Sequence, residues 1–375
     1  MQAIRSNLVE QLELSDGQNA SLLLSRYLKE IKVGEAEQEK AQEARKELFR
    51  VAQGAVKDEG VGSLYKAAFE SRQKALDGIT EARNFKTTSR LIAGLGASSV
   101  LETGLTLNPI YGTPMIPGSS LKGIAAHYCS TVLGRADEGF LSPLTEERSK
   151  GTRKAGQFYE ILFGKVGDNE EESEAGFLNF YDAWILPGSL KDSLWHDVMT
   201  PHHSNYYGDN EDRIAPTDFD DPNPVTFLSV KGEFEVRLGC ADPQDAVQKS
   251  WLLLAFDILK GALEYYGVGG KTRSGYGRME HVLSPEERER VQKEQYEAEM
   301  ARFATEAGFR PDGSEVMVRC ESINRKHKKP RFKLDGKNAY FEPAEAVKDV
   351  EVGEEVRARI VRSDTRQDAY YLERL

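Results

Sequence analysis

The stretch GVGGKTRSGYGRM, residues 267–279, holds five glycines, two arginines, one lysine and the hydroxyls of Thr272, Ser274 and Tyr276. Such a composition suits the holding of phosphate, because bare backbone offers N–H groups and the cations add charge. Gly270-Lys271-Thr272 is also how a nucleotide-binding P-loop ends, in the pattern G-x-x-x-x-G-K-[ST]. That pattern requires a glycine at position 265, which is Tyr265. A helix also leads into the segment and a strand leads out, the reverse of a P-loop. ATP is therefore not expected. A tight helix-to-strand turn accounts for Gly267, Gly269 and Gly270, since glycine reaches positive φ cheaply. It does not account for Lys271, Thr272, Arg273, Ser274 and Arg278 in the same loop. Gly269, Gly270, Lys271, Thr272, Arg273, Ser274, Gly275, Gly277 and Arg278 are the first candidate RNA-binding set, aimed at a sugar-phosphate backbone.

IPGSSLKG (116–123) repeats the idea. Gly118, Ser119, Ser120, Lys122 and Gly123 open a helix, with a serine cap expected at Ser119 or Ser120. Free N–H groups and the helix dipole favour an anion there. A capping serine alone is commonplace, but two such loops on one sheet favour a phosphate backbone over either bland reading.

Other chemistry is weaker. His202 and His203, with Asp182, Asp209 and Asp218 near them in sequence, read as an ordered loop rather than a metal or acid–base site. Adjacent histidines point apart on an extended chain, and no His-x-x-x-His pairing is available. His127 reads as a partly buried structural histidine. Cys129, Cys240 and Cys320 stand far apart, with neither disulfide nor zinc spacing. No catalytic residue, metal or cofactor is assigned.

Around these loops, residues 1–86 read as charged helices with one thin apolar stripe. Residues 87–283 then read as strand, helix, strand, strand, helix, strand. TTSRLIAGLG and SSVLETGLTLNP are the expected first strands, and GFLNFYDAWI (176–185) the next. VTFLSVKGEFEVRLGC alternates Phe234, Val236 and Leu238 with Glu233, Glu235 and Arg237. The helix after it aligns Val247, Trp251, Leu254, Ile258, Ala262 and Tyr265. This order is the split βαβ, or ferredoxin-like (RRM-like), pattern common among RNA-binding modules. Ser284, Pro285 and Glu287 spell a capping box that starts a charged linker helix, 284–312. Residues 313–375 read as five short strands of a small OB-like barrel. The fold class is α+β.

The net charge of −11 opposes nucleic acid as a whole, yet NRKHKKPRFKLDGK (324–337) carries seven Lys/Arg and one acid. That cluster, with Phe332, Tyr340 and Phe341, fits either a solvated hairpin, a protein-docking surface or a site that stacks single-stranded RNA. No apolar run approaches the ~20 residues that span a bilayer. The N-terminus lacks a signal-peptide pattern. A cytoplasmic protein without membrane partners is expected.

IPGSSLKG after a strand, with GGKTRSGYGR entering the last strand, resembles the RAMP proteins of CRISPR effector complexes. The stretches RLIAGLGASSVLETGLTLNPIYGTPMIPGSSLKG, FYDAWIL, DVMTPHHSNYYGD and PNPVTFLSV resemble, within them, the sixth-subunit family of the type III-B Cmr complex. The resemblance covers residues 87–283. It implies a non-catalytic subunit that holds the 3′ part of a CRISPR RNA for defence against foreign nucleic acid. The implied partners are CRISPR RNA, target RNA, other Cmr RAMP subunits and the small helical subunit. Some relatives cleave CRISPR RNA precursors with a histidine base, so a metal-independent RAMP endoribonuclease is the alternative.

Overall fold

The computed structural model describes residues 13–15, 17–29, 38–97, 99, 101, 103–144, 153–165, 167, 173–200, 224–306, 308–324 and 329–375. Two compact units divide the chain, Met1–Val282 and Leu283–Leu375.

In the first unit, helix α1 (Ala20–Arg26) is capped by Asn19, whose side chain accepts from the Leu22 amide. Helix α2 (Gln38–Ala55) is polar except for a buried stripe that includes Leu48, Phe49, Ala52 and Ala55. Asp58 caps helix α3 (Glu59–Leu76), which buries Tyr65 and Phe69. The helical reading ends there, because Thr80–Thr87 is strand β1. Its sequence, TEARNFKT, has no simple apolar alternation, so helix propensity and strand pairing compete and the sheet decides. Residues 88–108, expected to be strands, hold isolated bridges at Leu91 and Leu107.

Strand β2 (Met115–Ile116) feeds helix α4 (Gly118–Thr131). Helix α5 (Gln157–Phe163) then runs into β3 (Gly164–Lys165), which pairs with β4 (Glu174–Ala175). The expected strand at 176–185 is two pieces, β5 (Asn179–Phe180) and β6 (Ala183–Ile185). Between them the Asp182 carboxylate accepts from the Gly118 amide at 2.8 Å. Strands β7 (Leu194–Met199) and β8 (Val225–Val230) form a separate antiparallel ladder. Strand β9 (Glu233–Gly239), helix α6 (Ala246–Tyr265) and strand β10 (Met279–Val282) complete the unit. The main sheet runs β10-β1-β9-β6-β2, with β5 also on β9.

Phe234, Val236 and Leu238 enter the core as the alternation requires. Helix α6 buries Ile258 and Ala262 of the expected row, with Trp251 and Leu254 packed against the core, while Val247 and Tyr265 at its ends are exposed. Leu252, Ala255, Phe256, Leu259 and Leu263 are buried as well. The helix packs against α4 as well as the sheet, and so buries a wider stripe than one apolar row.

Glu235 and Arg237, on the polar side of β9, are buried too, at 3% and 4% exposure. Helix α3 covers them. Glu235 accepts from Arg72 at 3.3 Å, Gln73 at 2.7 Å and Arg237 at 2.8 Å. Arg237 also donates to Thr80 and pairs with Asp77. Burial pulls the Arg72 guanidinium below its ordinary pKa, against the pull of Glu235.

The second unit opens with helix α7 (Pro285–Glu306). Its capping box is reciprocal: the Ser284 amide donates to Glu287 at 2.8 Å, and the Glu287 amide donates to the Ser284 hydroxyl at 3.1 Å. Strands β11 (Glu315–Asn324), β12 (Lys329–Leu334), β13 (Lys337–Phe341), β14 (Glu355–Asp364) and β15 (Ala369–Arg374) close a barrel in the order β11-β12-β13-β15-β14. Phe332 and Phe341 meet edge to face inside it at 4.9 Å, so neither is available for stacking RNA; Tyr340 alone of that trio faces out. Residues 325–328 of the basic cluster lie outside the described residues.

The Glu235 cluster gives a direct test. Glu235→Ala removes the carboxylate that the Arg72 and Arg237 guanidiniums share, and removing one partner of a buried pair costs about 3–5 kcal/mol. Urea unfolding of the full chain is expected to show that loss in its first unit, with Glu235→Gln, which keeps one acceptor oxygen, losing less.

Candidate nucleic-acid interface

The glycine loop joins α6 to β10, so a helix does lead in and a strand out. Its shape is set by close backbone approach. A Cβ on Gly277, at φ 73°, would run into the Val268 carbonyl, and one on Gly269, at φ 91°, into the Ile92 carbonyl. Lys271 is left-handed at φ 55°, an uncommon and costly state for a side-chain-bearing residue. Many of the loop's N–H groups are spent internally. Val268 donates to Gly277, Gly270 to Ile92, Ser274 to Lys271, Gly275 to Thr272 and Gly277 to Arg90. Among the described residues, no backbone acceptor meets the amides of Lys271, Thr272 or Arg273. The donor-rich tip is thus three residues wide, with Lys271, Arg273, Ser274 and Arg278 exposed around it.

That tip is tethered to β7. The Tyr276 hydroxyl donates to Asp197 at 2.6 Å, and Arg90 pairs with the same carboxylate at 2.8 Å. Ser89 also hydrogen-bonds the Gly275 carbonyl. Burial alone would raise the Asp197 carboxyl, but the Tyr276 and Arg90 bonds outweigh it and hold the pKa below its ordinary value. Burial and the Asp197 contact push the Tyr276 hydroxyl up to about 12. Arg90 lies over the half-exposed Trp195 ring at 5.6 Å; both line a small cavity of about 290 Å³ with Ser89 and Lys231.

At the other loop the expected serine cap is absent. Pro117 occupies the cap position and makes no side-chain bond; Asp182 takes the Gly118 amide instead. Gly118 is pressed against the Phe180 carbonyl. Part of the anion-attracting helix end is therefore already neutralised by the chain's own carboxylate. Ser119 and Gly123 are exposed, and Ser120 and Lys122 half-exposed.

The two loops do not converge on one spot. Strand β2, which leads to α4, lies at one edge of the sheet, and β10, which follows the glycine loop, at the other. Helix α4 bridges them over about 21 Å, from its 14 residues at 1.5 Å each. Ser119, Gly123 and His127 recur every fourth residue along its exposed face. Its far end reaches Tyr266, directly before the glycine loop. The His127 ring is 4.8 Å from that of Tyr266, and Thr131 shares a 2.9 Å hydrogen bond with its hydroxyl.

His127 is thus exposed rather than partly buried, and it meets an aromatic ring rather than a carboxylate. His202, His203, Asp209 and Asp218 lie outside the described residues. Among the described residues, no group of three His, Cys, Asp or Glu could hold a metal ion, and no helix is long and apolar enough to cross a membrane. All three cysteines are free and buried, and burial pushes the Cys129 thiol up to about 12. The sequence reading missed Asp182 as a helix cap and the Arg90–Asp197–Tyr276 tether. All of these pair residues far apart in the chain. The tyrosine inside GYG was the one local hint of a side chain tying the loop down.

The RAMP superfamily model matches residues 84–280, which contain both loops. The Cmr6 subunit of the CRISPR system Cmr of Pyrococcus furiosus is 31% identical over 255 residues, covering 58% of this chain and 72% of the relative. Among solved structures, a chain in the cryo-EM structure of the type III-B Cmr-β bound to cognate target RNA matches with a TM-score of 0.46 and 21% identity. It covers 68% of this chain and 78% of that one. The crystal structure of Cmr6 from Pyrococcus furiosus matches with a TM-score of 0.31 and 27% identity, covering 54% and 98%. The chain belongs to the RAMP superfamily and is a homologue of Cmr6.

Proposed function

We propose that this chain is a non-catalytic subunit of a type III-B CRISPR effector that grips the 3′ part of a CRISPR RNA by its sugar-phosphate backbone. Homology to Cmr6 supports the assembly, and with it the partners: CRISPR RNA, target RNA, other Cmr RAMP subunits and the small helical subunit. The strand order β10-β1-β9-β6 supports a ferredoxin-like core extended by β2, and the barrel order with β13 parallel to β15 supports an OB-like second unit.

One observation carries the RNA reading. A Cβ on Gly123 would meet nothing within 4 Å, so the fold does not require glycine there. Glycine inside a helix costs roughly 0.5–1 kcal/mol relative to alanine. Its presence between Ser119, Lys122 and His127 leaves a flat strip along which a polymer backbone can lie against the helix. The strip leads to the cationic tip of the glycine loop. Phosphate contacts of this kind hold RNA without reading its sequence.

Four outcomes are expected. Gly123→Ala should raise the melting temperature of the purified chain while lowering guide-RNA retention in assembled complexes; raised stability with unchanged retention would defeat the reading. Lys122→Ala combined with Lys271→Ala and Arg273→Ala should weaken retention for all sequences alike and flatten its salt dependence, by about 0.7 in slope per lost phosphate contact. In the same assembly, His127→Ala, His202→Ala and His203→Ala should leave cleavage intact; a histidine variant that binds guide but abolishes cutting would favour the nuclease alternative. The Asp197 tether supplies the fourth. Its folded carboxyl titrates below the unfolded value, so its contribution is whole at neutral pH and lost only as pH falls through that lowered value. Retention measured between about pH 8 and 5 should show no step from this group, whereas Asp197→Asn should weaken retention throughout.

A further inference from the structure

A groove of about 990 Å³ opens beside the first turns of α4, walled on its other side by α5 and the chain around it. Lys122, Arg153, Lys154 and Lys165 line it; among the described lining residues Glu160 is the one carboxylate, and Glu174 stands opposite Lys165 across the β3–β4 ladder. Among the described residues, none of these four cations pairs with a carboxylate. Cations gathered around one depression repel each other unless an anion enters. Arg153 is also fixed in place. Its backbone bridges Leu144 in both directions, at 3.0 and 3.1 Å, and its guanidinium donates to the Ser142 carbonyl at 2.7 Å.

The lining is not purely ionic. Tyr159 and Phe163, both half-buried, meet at 5.0 Å between ring centres, and Phe163 stacks on Phe180 at 6.2 Å. Cations spaced along a groove whose lining presents aromatic rings are the combination that single-stranded nucleic acid needs: charge for the backbone and π-faces for the bases. A small anion would not use the rings. Duplex RNA offers no free base to meet them.

We propose that this groove binds a short run of single-stranded RNA, with Lys154 and Lys165 on phosphates and Tyr159 and Phe163 against a base. The proposal rests on the RNA-holding reading of α4 and extends its strip away from the glycine loop. Residues 153–165, which follow the helix in sequence, thereby become part of the RNA path.

The test uses the purified full chain and a fluorescein-labelled, unstructured single-stranded RNA, titrated at several salt concentrations. Lys154→Ala with Lys165→Ala removes exposed side chains, and melting checks that the fold survives. Affinity should fall about 25-fold at about 0.1 M salt, since each single-strand phosphate contact carries a slope of about 0.7. Thiouridine-substituted RNA should crosslink to peptides containing Tyr159 or Phe163. If Lys271→Ala with Arg273→Ala weakens binding while the groove pair does not, the groove proposal is wrong and the RNA-holding reading stands. If neither pair matters, both fall. If the groove pair instead releases a neighbouring protein subunit with RNA affinity unchanged, the groove is a protein-docking surface and the proposal is overturned.

Discussion

Glu235 takes hydrogen bonds from Arg72, Gln73 and Arg237 in the space between α3 and the sheet, where water is excluded. A carboxylate buried this deeply survives only with its partners in place. The same arginine carries the constraint outward. Arg72 donates to the Asp182 carbonyl at 2.7 Å and lies over the Trp184 ring at 4.8 Å. The Asp182 carboxylate in turn receives the first amide of α4. One chain of contacts therefore runs from an N-terminal helix, through the middle of the sheet, to the end of the helix that presents Ser119 and Lys122. Tyr65 strengthens it by donating to the Ile185 carbonyl at 2.6 Å. The N-terminal helices are structural members of the first unit, and the position of α4 depends on them.

The glycine loop is held by different means for the same end. Internal backbone bonds consume many of its donors, and Asp197 fastens it from the side. What is left is a narrow tip whose geometry is fixed before any ligand arrives. Preorganisation of this sort lowers the entropy that binding must otherwise overcome. It also explains why Lys271 tolerates a left-handed backbone: the glycines on both sides have already determined the path.

Much of this was legible in the sequence wherever one local rule governed. The capping box at Ser284, the five barrel strands and the apolar side of β9 each depend on residues a few positions apart. The errors came where a distant partner decided the outcome. TEARNFKT becomes a strand because β9 and β10 pair with it on both sides. Glu235 and Arg237 read as a polar face, which α3 then covers. GSSLKG reads as serine-capped, but a carboxylate 64 residues away supplies the cap. Phe332 and Phe341 looked like stacking surfaces beside a basic run, and barrel closure turned them inward. The two glycine-rich loops were found by composition alone, yet their separation along α4 is visible only once the sheet order is known.

A net charge of −11 does not by itself oppose the proposed hold on a polyanion. At physiological salt the Debye length is about 8 Å, so an exposed acid on a remote face is screened from a phosphate at α4. What matters is the balance within that radius. On α7, arginines and lysines alternate with glutamates as exposed i,i+4 pairs, such as Arg290 with Glu294 and Lys293 with Glu297. There the positive charge is already answered locally. Beside α4, Lys122, Arg153, Lys154 and Lys165 line a groove whose described lining holds one glutamate, Glu160, with Glu174 opposite Lys165 on the neighbouring strand. Under the proposed function, this local balance rather than the net charge would decide where RNA lies.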